Sequence, residues 1–476
     1  MPFTSLEFAL FFGLALSLNW AFKSGPFFLR YLLVANLAFY GLAAPKFLPL
    51  LVIVALANFW TVRLMAAHPD FRRFYLTLNI VFCLSLLIFF KYFEFLISTF
   101  DSLGLLPTTS ALFRLPEIVY PVGLSFFTFQ GLSLAIDQYR TPDPKPPSLL
   151  NVLIFVSFFP TVLSGPIQRY RQFSAQLSYR RTDPDSLNLG LWLILSGLFK
   201  KVALSSYLSE SVVRGVFQVP EAYSALGVLG GIYAYSAQIY LDFSGYSDLA
   251  QGVALLIGVD VGANFAAPYL ATNVRDFWRR WHISLSTWLR DYLYVPLGGS
   301  RQGSKSLNLL LTQTLGGLWH GAHLRYAVWG VAHGLALVVC HFFLDFKRKR
   351  AAKNPGSLNH RQGTSPLGQF WGFFLTFNFV SFTWILFRAE DLNRALEIAR
   401  AAINFSRPGQ GVPLLAWLIV GLTLGGQVYG QKIKEFFLKR QARLSVPALG
   451  LWLAFWTILI IKLGPPGVLP FIYFQY

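Results

Sequence analysis

The side chain with the clearest chemical potential in this sequence is His320, in the segment Leu315-Gly-Gly-Leu-Trp-His-Gly-Ala-His323. It ends an apolar run that begins at Leu309, and the glycines around it leave room for a ligand or another backbone to approach. Imidazole is the side chain best suited to proton transfer near neutral pH. We therefore predict that His320 is catalytic; the alternative is a hydrogen-bonded packing histidine.

A second candidate, His282, lies in the aromatic and basic segment 275–291. Taken as one helix, this segment has two faces, one with Trp278, Trp281, Leu285 and Trp288 and the other with Arg275, Arg279 and His282. It is too charged to span a bilayer, so we expect an interfacial or re-entrant helix. Guanidinium groups match phosphate geometry, which makes Arg279 and Arg280 candidates for binding a phosphorylated donor. The alternative is a belt of Trp and Arg at the lipid headgroups.

Two carboxylates, Asp242 and Asp248, interrupt another apolar region. Charged groups inside membrane segments usually face a polar cavity or a partner. We predict that both line the same chamber as the histidines, together with His323. A structural hydrogen-bond hub that joins helices is the alternative for the two carboxylates.

Other kinds of site are not indicated. His320, His323 and His333 have no carboxylate or cysteine in a metal-binding pattern, so no metal site is predicted. The sequence contains neither a GxSxG nucleophile motif nor a glycine-rich nucleotide loop. Cys83 and Cys340 lie in apolar runs, where a thiol behaves as a small apolar group, so no disulfide framework is expected.

The elements that position these residues must be membrane helices. Of the 476 residues, 55% are hydrophobic and only 13% are charged, whereas soluble domains have about 25% charged residues. The mean hydropathy is +0.51. Lys and Arg number 40 against 21 Asp and Glu, an excess that cytoplasmic loops beside anionic lipid explain without nucleic acid. The segment 5–22 lacks the flanks of a cleavable signal and is expected to be a first span.

Twelve candidate windows approach the roughly 20 apolar residues that a membrane-spanning helix requires, and we expect about eleven spans from them. They are 5–22, 27–44, 47–66, 75–98, 117–137, 149–166, 187–206, 223–241, 309–344 (which could be two elements), 368–387, 413–430 and 447–463. No soluble domain separates them and no internal repeat relates them. We predict an all-α polytopic membrane protein, a single domain over 1–476, with re-entrant or interfacial helices around a central chamber.

Positive charge predicts the orientation. Segments 347–366 and 431–446 are rich in Lys and Arg and should be cytoplasmic. Segment 388–411 should then lie outside, where Leu392, Leu396, Ala399 and Ile403 form a stripe suited to a helix at the membrane surface. The uncharged tail 464–476 is expected on the extracytoplasmic side.

Six motifs in the middle of the chain occur in a recognisable order. They are Pro121-Val-Gly-Leu-Ser-Phe-Phe-Thr-Phe-Gln130, Ser164-Gly-Pro-Ile-Gln-Arg169, Asp242-Phe-Ser-Gly-Tyr-Ser-Asp248, Asn264-Phe-Ala-Ala-Pro-Tyr269, the segment 276–286 with its continuation 288–299, and Gly317-Leu-Trp-His-Gly321. Together they resemble the membrane-bound O-acyltransferase family, in its bacterial branch of alginate and peptidoglycan O-acetyltransferase subunits and teichoic acid D-alanyl transferases. The resemblance covers 117–334 and implies a catalytic core there, with His320 as the catalytic histidine and His282 at the same chamber.

In the acyl transfer that the resemblance implies, His320 would take the proton from the attacking hydroxyl, and His282 or backbone amides near the glycine-rich turns would stabilise the oxyanion. The resemblance also implies how the acyl group leaves the membrane. Related systems are thought to carry it on a C-terminal tyrosine, and the ending Phe471-Ile-Tyr-Phe-Gln-Tyr476 is similar to theirs. Tyr473, and next Tyr476, are therefore candidate acyl relays; anchoring of the last helix by these aromatic rings is the alternative. The chain departs from its relatives at His323-Leu-Arg325, so the resemblance does not transfer acceptor specificity there.

The function implied is O-acylation, most simply O-acetylation, in a bacterial inner membrane. The donor would be acetyl-CoA or another acyl thioester, with no bound cofactor, and the acceptor a hydroxyl of alginate, peptidoglycan or a similar polymer. Membrane lipid and an extracytoplasmic acyltransferase are the expected partners, and nucleic acid is not. D-alanyl transfer, transfer to a lipid or protein, and a non-enzymatic transporter are the alternatives; a transporter would not need the Trp-His-Gly motif.

Overall fold

The computed structural model describes residues 1–22, 26–102, 118–143, 145–178, 180, 182–353 and 365–465. Within these ranges the chain forms helices and no β-sheet, apart from one isolated bridge between Tyr223 and Gln410. The predicted all-α polytopic membrane fold is confirmed.

The first part of the chain contains ten α-helices among the described residues. They are α1 (Leu6–Ala21), α2 (Pro26–Ala43), α3 (Leu48–Ala67), α4 (Arg72–Ser102), α5 (Leu124–Arg140), α6 (Leu149–Ser157), α7 (Tyr170–Ser178), α8 (Pro184–Leu198), α9 (Ser206–Leu208) and α10 (Arg214–Gln218). Two π-helical segments, Phe199–Ser205 and Ser209–Val213, continue α8 towards α10.

The second part begins with the long helix α11 (Ala225–Ile257). It is followed by α12 (Val274–Arg280), α13 (Ile283–Leu289), α14 (Lys305–His320), α15 (Leu324–Lys353), α16 (Pro366–Arg388), α17 (Leu392–Ile403), α18 (Leu414–Gln441) and α19 (Val446–Leu463). A π-helical segment, Arg290–Tyr294, extends α13.

Fewer helices can cross a membrane than the roughly eleven spans expected from the sequence. In the described ranges, 7 helices are long and apolar enough to span, and α1 and Phe27–Ala43 are shorter apolar helices. The prediction of a span at 149–166 is wrong, because α6 stops at Ser157 and turns follow. The window 309–344 is two elements, α14 and α15.

The chain forms two compact units. The first comprises Met1–Ile194 and Ser247–Gly262. Its core is the packing of α3 against α4, α5 and α6. Asn79 of α4 donates a 2.9 Å hydrogen bond to Asn58 of α3, and the N–H of Phe159, just after α6, donates to Asn36 of α2. Such bonds are needed because buried polar groups without partners are costly.

The second unit comprises Leu195–Tyr246 and Ala263–Tyr476. Helices α14 and α15 pack along each other, and α15 also contacts α12 and α16. Gly317 permits this packing, because a Cβ there would lie 2.3 Å from the carbonyl oxygen of Tyr326. The predicted amphipathic segment is α17, whose Leu396 and Ile403 are exposed while Ala395 and Ile398 are buried.

Candidate active site

His320 is the last residue of α14 and is surrounded by aromatic rings. Its side chain is buried, with 7% exposure. Its ring centroid lies 5.3 Å from that of Trp329 in α15 and 4.9 Å from that of Phe387 in α16, both edge to face. A helix C-terminus carries partial negative charge and favours a cation there. This position therefore supports an imidazole that becomes charged during a reaction.

Arg325 holds this aromatic group together. Its guanidinium donates from Nη1 to the backbone oxygens of Phe387 and Ala389, and it lies over the ring of Tyr326 at 4.5 Å. The side chain thus joins the start of α15 to the end of α16. Arg325 is buried as a structural clamp, which explains why this charged residue follows the Trp-His-Gly motif.

Gly321, the residue after His320, is required by the neighbouring ring. A Cβ at this position would lie 2.3 Å from Cε2 of Tyr326. The glycines of this motif were predicted to admit a ligand or another backbone. Another backbone, that of α15, approaches Gly317, and the ring of Tyr326 approaches Gly321.

His282 lies at a sharp break between α12 and α13. The prediction of one continuous helix over 275–291 is wrong, because α12 ends at Arg280 and His282 takes a left-handed conformation, φ 43° and ψ 57°. Histidine is one of the few residues besides glycine that tolerate this region, at a cost of about 1–2 kcal/mol. The break turns His282 inward, to 1% exposure, while Arg279 is exposed. The two side chains do not share a face.

Asn264 fixes the backbone at this break. Its carbonyl oxygen accepts a hydrogen bond from Ile283 N–H at 2.9 Å, and its side-chain Oδ1 accepts from Ser284 N–H at 3.0 Å. These are amides at the start of α13 that have no partner within the helix. The same Oδ1 lies 3.3 Å from Nδ1 of His282. Asn264 therefore caps α13 and also holds the imidazole.

The two histidines contact the same indole ring. The centroid of Trp319 lies 6.3 Å from that of His282 and 4.9 Å from that of His320. Phe243 of α11 covers His282 edge to face at 4.6 Å. The predicted pair is thus brought together in a buried, largely aromatic environment.

The environment of His282 keeps its imidazole neutral. Burial lowers the pKa of His282 to about 3. Its Nε2 is buried and has no hydrogen-bond partner among the described residues. A buried nitrogen lone pair without a donor is costly, which is typical of an atom that meets a substrate group or water.

His333, by contrast, is a structural histidine. Its Nε2 lies 3.0 Å from the hydroxyl of Thr383, and that hydroxyl donates to the carbonyl of Val380. The proton is therefore on Nε2, and Nδ1 accepts from Nε1–H of Trp278 at 3.3 Å. Both nitrogens are satisfied, so this side chain fixes Trp278 and has no lone pair left for chemistry.

The predicted polar lining residues differ in their partners and in their burial. Asp242 forms a buried ion pair with Lys201 at 2.5 Å, which agrees with the structural alternative for this carboxylate. Asp248, further along α11, is only partly buried, and His323 is exposed on the turn between α14 and α15. The prediction that His323 lines the chamber therefore finds no support in its burial.

The two arginines of the predicted donor site differ. Arg280 donates to Asp276 at 3.0 Å and to the carbonyl of Ala266 at 3.4 Å, so it fastens α12 to the loop that contains Asn264. Arg279 is exposed. Donor binding by either residue stays a prediction.

Two further predictions concern the candidate relays and metals. Tyr473 and Tyr476, with most of the tail 464–476, lie outside the described residues. Within the described ranges, no three His, Cys, Asp or Glu side chains lie close enough together to hold a metal ion.

Three contributions to the site were not predicted. Asn264 and Lys201 were missed, although each is a polar residue in an apolar stretch, which is the available signal. Phe387 was assigned only to a membrane span, and nothing in its local sequence indicates that it contacts His320.

Comparison with known proteins identifies the family of this chain. Residues 124–386 match the profile of the family described as MBOAT, membrane-bound O-acyltransferase. The chain belongs to this family. It is therefore a multi-pass membrane O-acyltransferase, and His282 and His320 both lie within the matched region.

The chain is also similar to several proteins that are named as acyltransferases. A "Probable alginate O-acetylase AlgI" of Pseudomonas putida is 37% identical over 416 residues, which are 85% of this chain and 81% of the relative. The peptidoglycan O-acetyltransferase of Helicobacter pylori is 32% identical over 423 residues, 81% of this chain and 76% of the relative. The teichoic acid D-alanyltransferase of Bacillus subtilis is 30% identical over 240 residues, 48% of this chain and 60% of the relative.

Proposed function

We propose that this O-acyltransferase moves an acetyl group from a cytoplasmic thioester to a hydroxyl of a cell-surface polysaccharide, in the inner membrane of a bacterium. The observation that carries the proposal is the pair of buried imidazoles, His282 and His320, against the single indole of Trp319. The relatives named for O-acetylation of alginate and of peptidoglycan align with over four fifths of the chain. They favour acetyl over D-alanyl as the acyl group.

In this reaction a hydroxyl oxygen attacks the thioester carbonyl. His320 takes the hydroxyl proton as the new C–O bond forms, the C–S bond breaks, and the proton passes to the departing sulfur, which leaves as a thiol. Such general base catalysis contributes about 10²–10⁴-fold. The rings of Trp329 and Phe387 exclude water from His320, which protects an acyl group from hydrolysis.

The donor would be acetyl-CoA or another acyl thioester. A phosphate-bearing donor needs cationic side chains that are accessible. Arg279 fits this need because it is exposed at the end of α12, two residues before the break that leads to His282. Arg280 is engaged with Asp276 and contributes less.

We propose Tyr473, and secondarily Tyr476, as the acyl carrier between the membrane site and the polymer. The position of Gly464, where the tail begins, supports this role of the tyrosines. Gly464 packs closely against Val202, because a Cβ on Gly464 would lie 2.9 Å from Cγ1 of Val202. Val202 is next to Lys201, which pairs with Asp242. The residue after Asp242 is Phe243, and its ring contacts that of His282. The eight steps along the chain from Pro465 to Tyr473 can span about 28 Å at about 3.5 Å each. An extracytoplasmic acyltransferase would then take the acetyl group from the tyrosine to the polysaccharide.

The test is to produce the chain in a host with its polymer and to count O-acetyl and D-alanyl esters by NMR. We expect O-acetyl esters with the wild type, none with His320→Ala, and a strong reduction with His282→Ala, at equal protein in the membrane. Esters of D-alanine in place of acetyl would contradict the proposed acyl group. Full acetylation with His320→Ala would remove His320 from the mechanism and favour a transport role.

A further inference from the structure

The side chain of Asn264 contacts both the imidazole of His282 and the backbone that follows it. The backbone N–H of Ser284 can only donate a hydrogen bond. It lies 3.0 Å from the side-chain atom of Asn264 assigned as Oδ1. The amide must therefore turn its oxygen, not its NH₂ group, towards this point.

An amide oxygen has no proton to give. The 3.3 Å contact between this Oδ1 and Nδ1 of His282 is a hydrogen bond only when Nδ1 carries the hydrogen. In a neutral imidazole the other nitrogen, Nε2, then has a free lone pair. Nε2 can accept a proton and cannot donate one, so in this form His282 is not a donor to an oxyanion.

The backbone geometry supports the same assignment. The left-handed conformation of His282 has an energetic cost, and Asn264 offsets that cost by binding the next two amides, Ile283 and Ser284. Asn264 is itself 98% inaccessible, with an exposure of 2%. The orientation of the ring and its tautomer therefore depend on one residue, located in a different loop from the histidine.

We propose that Asn264 is a positioning residue that holds His282 as the Nδ1–H tautomer, so that Nε2 is a second proton acceptor beside His320. This inference rests on the proposed acyl transfer. Transfer through a tyrosine involves two attacks, one by the phenol and one by the polymer hydroxyl, and each attack needs an acceptor. In such a step Nε2 takes the hydroxyl proton, the new C–O bond forms, the old acyl bond breaks, and the proton passes to the leaving thiolate or phenolate.

The deciding variant is Asn264→Asp. A carboxylate accepts from Ser284 N–H and from Nδ1–H in the same geometry, so the cap and tautomer are kept. Its charge also stabilises the protonated imidazole, so the acid limb of kcat/KM should move up by about 1–3 pH units. Asn264→Ala should lose about 10–100-fold in kcat with a smaller change in KM, because the tautomer is no longer fixed.

Asn273→Asp is the matched control. Asn273 caps α12 through its side chain as Asn264 caps α13, but the hydrogen bond of the His282 ring in the described structure is to Asn264 and not to Asn273. This variant should leave the acid limb unchanged. If Asn264→Asp is active with an unshifted acid limb, Asn264 has only a structural role and the proposal is overturned.

A second measurement does not depend on enzyme activity and tests the proposal even if Asn264→Asp does not fold. The ¹⁵N resonances of histidine-labelled wild-type protein distinguish protonated from bare nitrogens, and His282→Gln assigns them by subtraction. Protonated Nδ1 with bare Nε2 supports the proposal; the reverse tautomer refutes it. The tautomer is measured without substrate. A wrong tautomer therefore refutes the role of Asn264 whether or not the protein transfers acyl groups.

Discussion

Removing the carboxylate of Asp242 alone should destabilise the protein more than removing both this carboxylate and the ammonium group of its partner, Lys201. The pair Lys201–Asp242 is 2.5 Å apart, with side-chain exposures of 4% and 7%. Asp242→Leu leaves a buried ammonium without its carboxylate, which costs about 3–5 kcal/mol. The double variant Lys201→Met/Asp242→Leu replaces both charges by apolar groups of similar size and should recover most of that loss.

The assay is thermal unfolding of the detergent-solubilised protein, with polymer acetylation measured in parallel. Asp242 precedes Phe243, whose ring lies 4.6 Å from that of His282, so Asp242→Leu should also lower acetylation. Glu210→Gln is the matched control, because its pair with Arg214 is 2.6 Å long but has side-chain exposures of 30% and 51%. Exposed pairs contribute only about 0–1 kcal/mol. Equal unfolding temperatures for Asp242→Leu and Glu210→Gln would refute the reasoning.

Three further predictions concern other parts of the site. Burial lowers the pKa of His282 to about 3, whereas a histidine in an unfolded chain has a pKa of about 6.5. Between about pH 6.5 and about pH 3 the unfolded state therefore binds more protons than the folded state. The free energy of unfolding falls as the pH drops through this range. His282→Asn should therefore reduce the loss of unfolding free energy between pH 7.5 and pH 5 by about 2 kcal/mol; an unchanged pH dependence contradicts this. Arg325→Gln removes the charged donor to Phe387 and Ala389 and should cost about 1.5–3 kcal/mol in thermal unfolding, whereas wild-type stability would show that the clamp is unimportant. Tyr473→Phe should abolish polymer acetylation and the acetyl-tyrosine peptide seen by mass spectrometry; unaltered acetylation in this variant and in the Tyr473/Tyr476 double variant would end the relay hypothesis.

Hydrophobic windows predicted most of the helices because each such signal is local. The windows that became α3, α16 and α19 agree closely with the helices. The windows at 149–166 and 223–241 do not agree with the helices, because hydropathy does not indicate where the backbone turns or how far a helix continues past polar residues. Helix α11 continues past Asp242 because Lys201 neutralises that charge.

The break at His282 shows what periodicity cannot predict. The spacing of apolar residues in 275–291 fits one helix, and the left-handed residue that divides it is held by Asn264, from a separate loop. Such long-range hydrogen bonds leave no periodic trace in the sequence. The candidate histidines were identified by their residue type and motifs, whereas their shared contact with Trp319 required the structure.

The central claim is that His320 carries out acyl transfer, and one measurement tests it most directly. Membranes with equal amounts of wild-type, His320→Gln or His341→Gln protein receive a labelled acetyl thioester, and label in the polysaccharide is counted. His341 is the control, because its Nδ1 bonds the carbonyl of Leu337 within α15, away from the aromatic group around His320. We expect the wild type and His341→Gln to transfer label equally and His320→Gln to fall by about 10²–10⁴-fold. Transfer by His320→Gln at the wild-type rate would contradict the account.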